Sequence, residues 1–298
     1  MNRFLLLLIS IIIISSCELY EQDDYQEYYV VESYLIADSP LPNLLLSKTS
    51  PIEEKYSFKD AVVNEAEVEV RLLNADSTIA ERYAYTQNGN GTYSPTAQAK
   101  VKPKRLYQLY ISLSNGDSIE AKTFVPGNFE VLNKDQISKE YTYQSDQQVQ
   151  LRTTPSDYIT DRQTYYIFTI NAVNPDSSKL TPFYRDLVID QENSIENFTI
   201  NSSGIINEKN YERNADDTIT LDVPWLSIAF YDTNKIITNA IDDNMYDFVR
   251  TQDAQTGGTS LSPGEIQNIR YHVHGGIGIF GSMASDTLQV QILRPDQQ

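Results

Sequence analysis

Ala66-Glu67-Val68-Glu69-Val70-Arg71-Leu72 sets four apolar side chains on one face of an extended chain and three charged ones on the other. Side chains of a strand alternate between its two faces, so this stretch reads as one strand of an antiparallel sheet with a buried and a wet side. The same period recurs outward from it. Upstream lie Tyr29-Val-Val-Glu-Ser-Tyr-Leu-Ile36 and Leu44-Leu-Leu-Ser-Lys48; downstream lie Glu81 to Thr86, Leu106 to Leu113 and Ser118 to Phe124. Between them sit Asn74-Ala-Asp-Ser77, Asn88-Gly-Asn-Gly91 and Asn115-Gly-Asp117, residues that tolerate the backbone angles of tight turns. Roughly seven short strands, with turns every 8–12 residues or so, predict an immunoglobulin-like β-sandwich over residues 28–127, closed by Pro126-Gly127.

Residues 128–298 predict a second β-rich domain with one short helix, which makes the fold class all-β. Its strands read as Gln148 to Arg152, Thr164 to Val173, one or two within Thr218 to Tyr231, and Thr287 to Leu293. The helix is expected over Thr238–Arg250, with Asn239 as its cap and Ile241, Met245, Phe248 and Val249 at helical spacing. Gly257 to Gly264 reads as a surface loop.

Composition narrows the function classes. The 298 residues carry a net charge of -18 with a pI near 4.4, which argues against nucleic acid as a partner, since phosphate recognition needs a positive face. One cysteine and two histidines exclude a disulfide framework and a cysteine-type zinc site. No nucleophile or nucleotide signature appears, so the expectation is a non-enzyme with no catalytic residues, no resident metal and no cofactor.

Several patterns are weighed individually. His272 and His274 lie two apart, on one face of a strand, but lack the third and fourth ligands that zinc requires. Gly275-Gly-Ile-Gly-Ile-Phe-Gly281 precedes no helix, so it reads as a close-packed bend rather than a dinucleotide loop. Asp242-Asp243-Asn244 and Asp216-Asp217 lack the order of a calcium loop. Of the 21 tyrosines, Tyr141 with Tyr143 is a candidate exposed recognition cluster. Ser77, Ser118, Thr218 and Thr287 each follow an Asp and precede Thr or an apolar residue, which resembles the O-glycosylation signal of exported Bacteroidetes proteins.

The N-terminus reads as an export signal. Arg3 precedes an apolar run from Phe4 to Ile14, too short for the ~20 residues of a membrane-spanning helix. Ile14-Ser-Ser-Cys17 then resembles a lipobox, in which residues 1–16 are removed and Cys17 is acylated, anchoring the chain to a membrane. Residues 17–27, with five acids and no base, read as an acidic tether; acids there resemble a surface-export tag.

The order of marks along the chain carries a resemblance. The lipobox, Tyr29 to Ile36, Leu45-Leu-Ser-Lys-Thr-Ser-Pro51, Val63 to Val70, Gly91-Thr-Tyr93, Tyr107 to Ile111 and Gly275 to Gly281 together look like the Bacteroidetes lipoprotein family DUF4249. Ser33 stands where that family often has Gly, and His272-Val273 where it often has Asn-Ile. The resemblance implies a lipid-anchored outer-membrane protein, exposed at the cell surface, that accompanies a TonB-dependent outer-membrane receptor in ligand capture or pore covering. The alternative it leaves open is a surface adhesion or scaffolding module that binds protein or glycan.

Overall fold

The computed structural model describes residues 25–51, 53–127, 129–154, 157, 164–191, 193–255 and 268–295. Cys17, the first part of the acidic tether and the Gly257–Gly264 loop lie outside the described residues. The first part of the chain forms β1 (Tyr29–Ile36), β2 (Leu44–Lys48), β3 (Ala66–Leu73), β4 (Ile79–Gln87), β5 (Thr92–Pro95), β6 (Leu106–Leu113) and β7 (Ser118–Phe124). Then follow β8 (Glu140–Thr142), β9 (Gln150–Thr153), β10 (Tyr165–Ala172), β11 (Ile200–Ser202) and β12 (Ile206–Asn207). The last are β13 (Ile219–Asp222), β14 (Asp232–Ile241), β15 (Val273–His274) and β16 (Ile277–Leu293). Among the described residues there are also the helices Pro182–Gln191 and Asp243–Gln255, one further helical turn at Phe58–Ala61 and short 3-10 turns between the later strands.

The alternation in β3 places Val68, Val70 and Leu72 in the first core, while Glu69 pairs with Arg82 outside at 2.6 Å and Arg71 lies 4.2 Å over the Tyr110 ring. The described sheet runs β11-β10-β14-β16-β1-β2-β5-β4-β3-β6-β7-β15, with β12 on β10 and β8 on β16. It wraps round a first core that includes Leu35, Leu46, Tyr93, Tyr107 and Ile119, giving a β-sandwich. The β9–β13 pair covers a second core, of which Tyr166, Phe168, Leu221 and Ile236 are part, against the other end of the same sheet.

One strand belongs to both. The first residues of β16 pair in parallel with β1, from Val30↔Ile277 to Ile36↔Met283. From Met283 onward β16 pairs antiparallel with β14, as far as Asp232↔Ile292. Phe280 lies in the first core and Leu288, Val290 and Ile292 in the second. The expected boundary near residue 128 follows β7, and the first sandwich is completed by residues from the far end of the chain, Val273 on β7 and Phe280 beside β1.

Three local expectations change. Thr238 to Ile241 is strand, not helix, because it pairs on both sides with β10 and β16. Asn239 accordingly donates its amide to Ile167 O at 3.1 Å across the sheet, and the helix begins one turn later with Asp242 accepting from Met245 N at 2.9 Å. The Pro182–Gln191 helix is a second one that the period did not reveal; its Tyr184 packs with Leu180 and Phe230 in a small separate core. The glycine-rich stretch from Gly275 opens into the same continuous strand as Thr287 to Leu293. Gly278 allows this: its φ is +103°, and a Cβ there would stand 2.1 Å from Val31 O.

Gly278→Ala should therefore break the β1–β16 pairing. We expect a loss of about 2 kcal/mol or more, from positive φ combined with a backbone clash, read as a lower urea midpoint. An unchanged midpoint would contradict the parallel register.

Candidate functional site

β14 carries apolar residues on both faces, and its two faces do different work. Ile236 and Ala240 point into the second core, whereas Ile237, Asn239 and Ile241 line the opposite side. The Asp243–Gln255 helix packs over one end of that outer face through Met245, which meets Ile167, Ile241 and Ile279, and Tyr246 stacks on Tyr165 at 3.9 Å. The remainder is a groove of about 720 Å³, within the range of small-molecule sites.

Cross-strand register sorts the groove floor into rows. Nearest the helix, Ile241, Met283 and Ile36 are aligned and apolar. The middle row is Ile167, Asn239 and Ser285, where Ser285 Oγ donates to Asn239 Oδ1 at 2.7 Å and Asn239 Nδ2 donates to Thr169 Oγ1 at 3.1 Å. The far row is Thr169, Ile237 and Thr287, flanked by Ser202 at the end of β11 and Ser203 just after it. None of the described lining residues is charged, in a chain of which 21% is.

Directly behind the groove, Asp242 is fully buried where the helix, β7 and β16 meet. Thr123 Oγ1 of β7 donates to Asp242 Oδ2 at 2.5 Å and lies 2.7 Å from Ser282 Oγ of β16. Burial pushes the Asp242 carboxyl up to about 6, against the opposing pull of the Thr123 hydroxyl and the Met245 amide. This knot joins the first sandwich to the helix that walls the groove.

The residues singled out in the sequence do not gather here. His272 and His274 flank buried Val273 and face solvent, and His272 Nε2 lies 2.8 Å from Asp247 Oδ2. No group of three potential metal ligands occurs among the described residues. The Asp242–Asn244 acids do not converge as a cation site: Asn244 turns its amide nitrogen to Phe280 O at 2.8 Å, and Asp242 points at Thr123. Asp216 accepts from the Thr218 hydroxyl at 2.6 Å, which holds its carboxyl below the usual range, and Asp217 pairs with Arg213 at 2.9 Å in the same turn. Tyr141 and Tyr143 are not an exposed cluster. Both are buried in the second core, Tyr143 against Trp225 at 5.6 Å and Tyr231 at 5.7 Å. Of the four glycosylation candidates, Ser77, Ser118 and Thr287 are exposed, while Thr218 is buried with its hydroxyl engaged by Asp216.

The groove itself escaped sequence reading, because Ile36, Ile237 and Met283 sit on three strands far apart in the chain. The signal that bears on it is the doubled apolar pattern Ile236-Ile237 and Ala240-Ile241, which marks a strand with two covered faces.

A family model described as "Domain of unknown function (DUF4249)" matches residues 17–289. No curated protein matches the chain. Among solved structures, native Escherichia coli alpha-2-macroglobulin is similar at 9% identity over 74% of this chain, with a TM-score of 0.24. The tandem-repeat extending region of a large adhesion protein is similar at 10% identity over 90% of this chain and 49% of its own, with a TM-score of 0.21. The N-terminal domains of the bacteriophage RB49 outer capsid protein Hoc follow at 9% identity, 89% of this chain and 70% of theirs, with a TM-score of 0.22. The chain spans 13% of the macroglobulin's length.

The Asp242 knot has a pH signature. A native carboxyl that holds its proton up to about 6, against 3.8 ordinarily, binds more protons than the unfolded chain between those values, so its contribution to stability falls as pH rises through that window. Asp242→Asn keeps the helix cap and removes the titration. Its urea midpoint should rise relative to that of the parent protein on going from pH 4 to pH 7. A difference constant across pH would contradict the buried, proton-holding carboxyl.

Proposed function

The chain belongs to the DUF4249 family, and we propose that it is a lipid-anchored outer-membrane accessory of a TonB-dependent uptake receptor, which captures ligand without transforming it. The observation that carries this reading is the uncharged groove of about 720 Å³, held between helix and sheet and lined by apolar and hydroxyl-bearing side chains. The lipobox at Ile14–Cys17 supports the anchor, since it places the only cysteine of the chain where acylation needs it. Acids between residues 18 and 27 support exposure at the cell surface, on a tether that carries five of them and no base.

Among the described residues no helix is long and apolar enough to cross a membrane. In this reading the acyl groups on Cys17 supply the membrane affinity, at about 0.8 kcal/mol per buried methylene. The two β-rich parts then stand off the bilayer with the groove open to ligand.

The test is extraction of the native lipidated protein in mild detergent, followed by identification of what co-purifies. A stoichiometric TonB-dependent barrel is the expected outcome. Recovery of the chain by itself, with uptake unaffected in a deletion strain, would instead favour an adhesion or scaffolding role.

A further inference from the structure

We infer that the groove takes a single-chain amphiphile with a hydroxylated, uncharged head, its apolar chain lying under the Asp243–Gln255 helix. The inference rests on the capture reading and deepens it by naming the ligand class. Polarity changes in one direction along the floor. Under the helix, Ile241, Met283 and Ile36 offer only hydrocarbon and thioether, closed above by Met245 and Val249. Two residues further along each strand, roughly 7 Å, the floor becomes mixed, and after two more it is hydroxyl-bearing at Thr169 and Thr287 on either side of Ile237.

The chemistry excludes the neighbouring classes. An oligosaccharide would be expected to find an aromatic platform, and no aromatic residue is among the described lining. An anionic head would need a cation or a set of free amides. The lining has neither, and the middle row's amide, Asn239, is committed to Ile167, Thr169 and Ser285. At the far end Thr169 Oγ1 accepts from Asn239 Nδ2 at 3.1 Å and stands 3.4 Å from Ser202 Oγ, a long contact that both hydroxyls can exchange for a ligand's. A neutral polyol head on an alkyl chain satisfies both ends at once.

The chain supplies its own reporters. It contains three methionines, and removal of residues 1–16 leaves two, Met245 and Met283, both in the groove wall. We would label the full mature chain, carrying Cys17→Ser so that no acyl group competes, with methyl-¹³C methionine. It would then be titrated separately with monodecanoylglycerol, decanoate and maltotriose, below micelle formation. Monodecanoylglycerol should shift both methyl signals saturably, and neither of the others should do so at equal concentration. Ile237→Trp, which fills the floor, should weaken that binding about tenfold or more, the equivalent of two excluded methylenes. Ser202→Trp at the rim is the second variant should the first fail to fold, and dispersed methionine signals report folding in either. Unmoved methionine signals with monodecanoylglycerol, or equal responses to decanoate or maltotriose, would overturn the inference. The outcome is separable from the receptor question: a barrel that co-purifies with a groove that binds no amphiphile would sustain the capture role and remove this ligand class.

Discussion

Everything in this fold hangs on β16, a strand of 17 residues that pairs first with β1 along one edge and then with β14 along the other, and so feeds two cores at once. Its first residues lie parallel to β1, which joins positions near residue 30 to positions near residue 277. Such a closure costs loop entropy before it gains any contact, so it survives only because the strand then buries Phe280 on one side of the junction and Leu288, Val290 and Ile292 on the other. The glycine at 278 is the concession that makes this possible, since it lets the backbone of β1 approach where a side chain would stand.

The groove is a consequence of that shared strand. A sheet long enough to serve two cores exposes, on its reverse, a face that neither core covers. One helix shields part of it and leaves the rest open. The helix is held in place by the residue that caps it, Asp242, whose carboxyl is buried against Thr123 of one half and beside Ser282 of the joint strand. Burying a carboxyl with hydroxyls and amides rather than a cation is costly, and the raised proton affinity is the visible part of that cost. Asp242 thereby couples the wall of the groove to the junction of the two β-rich parts.

Much of the fold was legible in the residues because one face of each strand is wet. β1, β2, β6 and β7 stand where the alternation of Tyr29–Ile36, Leu44–Lys48, Leu106–Leu113 and Ser118–Phe124 predicts them. β14 was not legible, because in Asp232-Thr-Asn-Lys-Ile-Ile-Thr-Asn-Ala-Ile241 polar residues fall on both faces and blur the period; its buried Asn239 donates to Ile167 O of β10, a partner that only the assembled sheet provides. Tyr141 and Tyr143 misled for a different reason. Tyrosine is common at recognition surfaces, but both side chains are buried in the second core, Tyr143 against Trp225 and Tyr231 some 80 residues on. A site built from three distant strands leaves no local pattern, which is why the groove had to be seen rather than read.

By this topology β16 makes the two β-rich parts one cooperative body, and native-state hydrogen exchange reads such cooperativity residue by residue. The ladder-bonded amides from Ile277 to Met283 and from Ala284 to Leu293 should open with a single common free energy, the highest in the chain and equal to that of global unfolding. Exchange of the first segment through a cheaper opening, while the second stays protected, would contradict it and leave two sandwiches that merely share a chain.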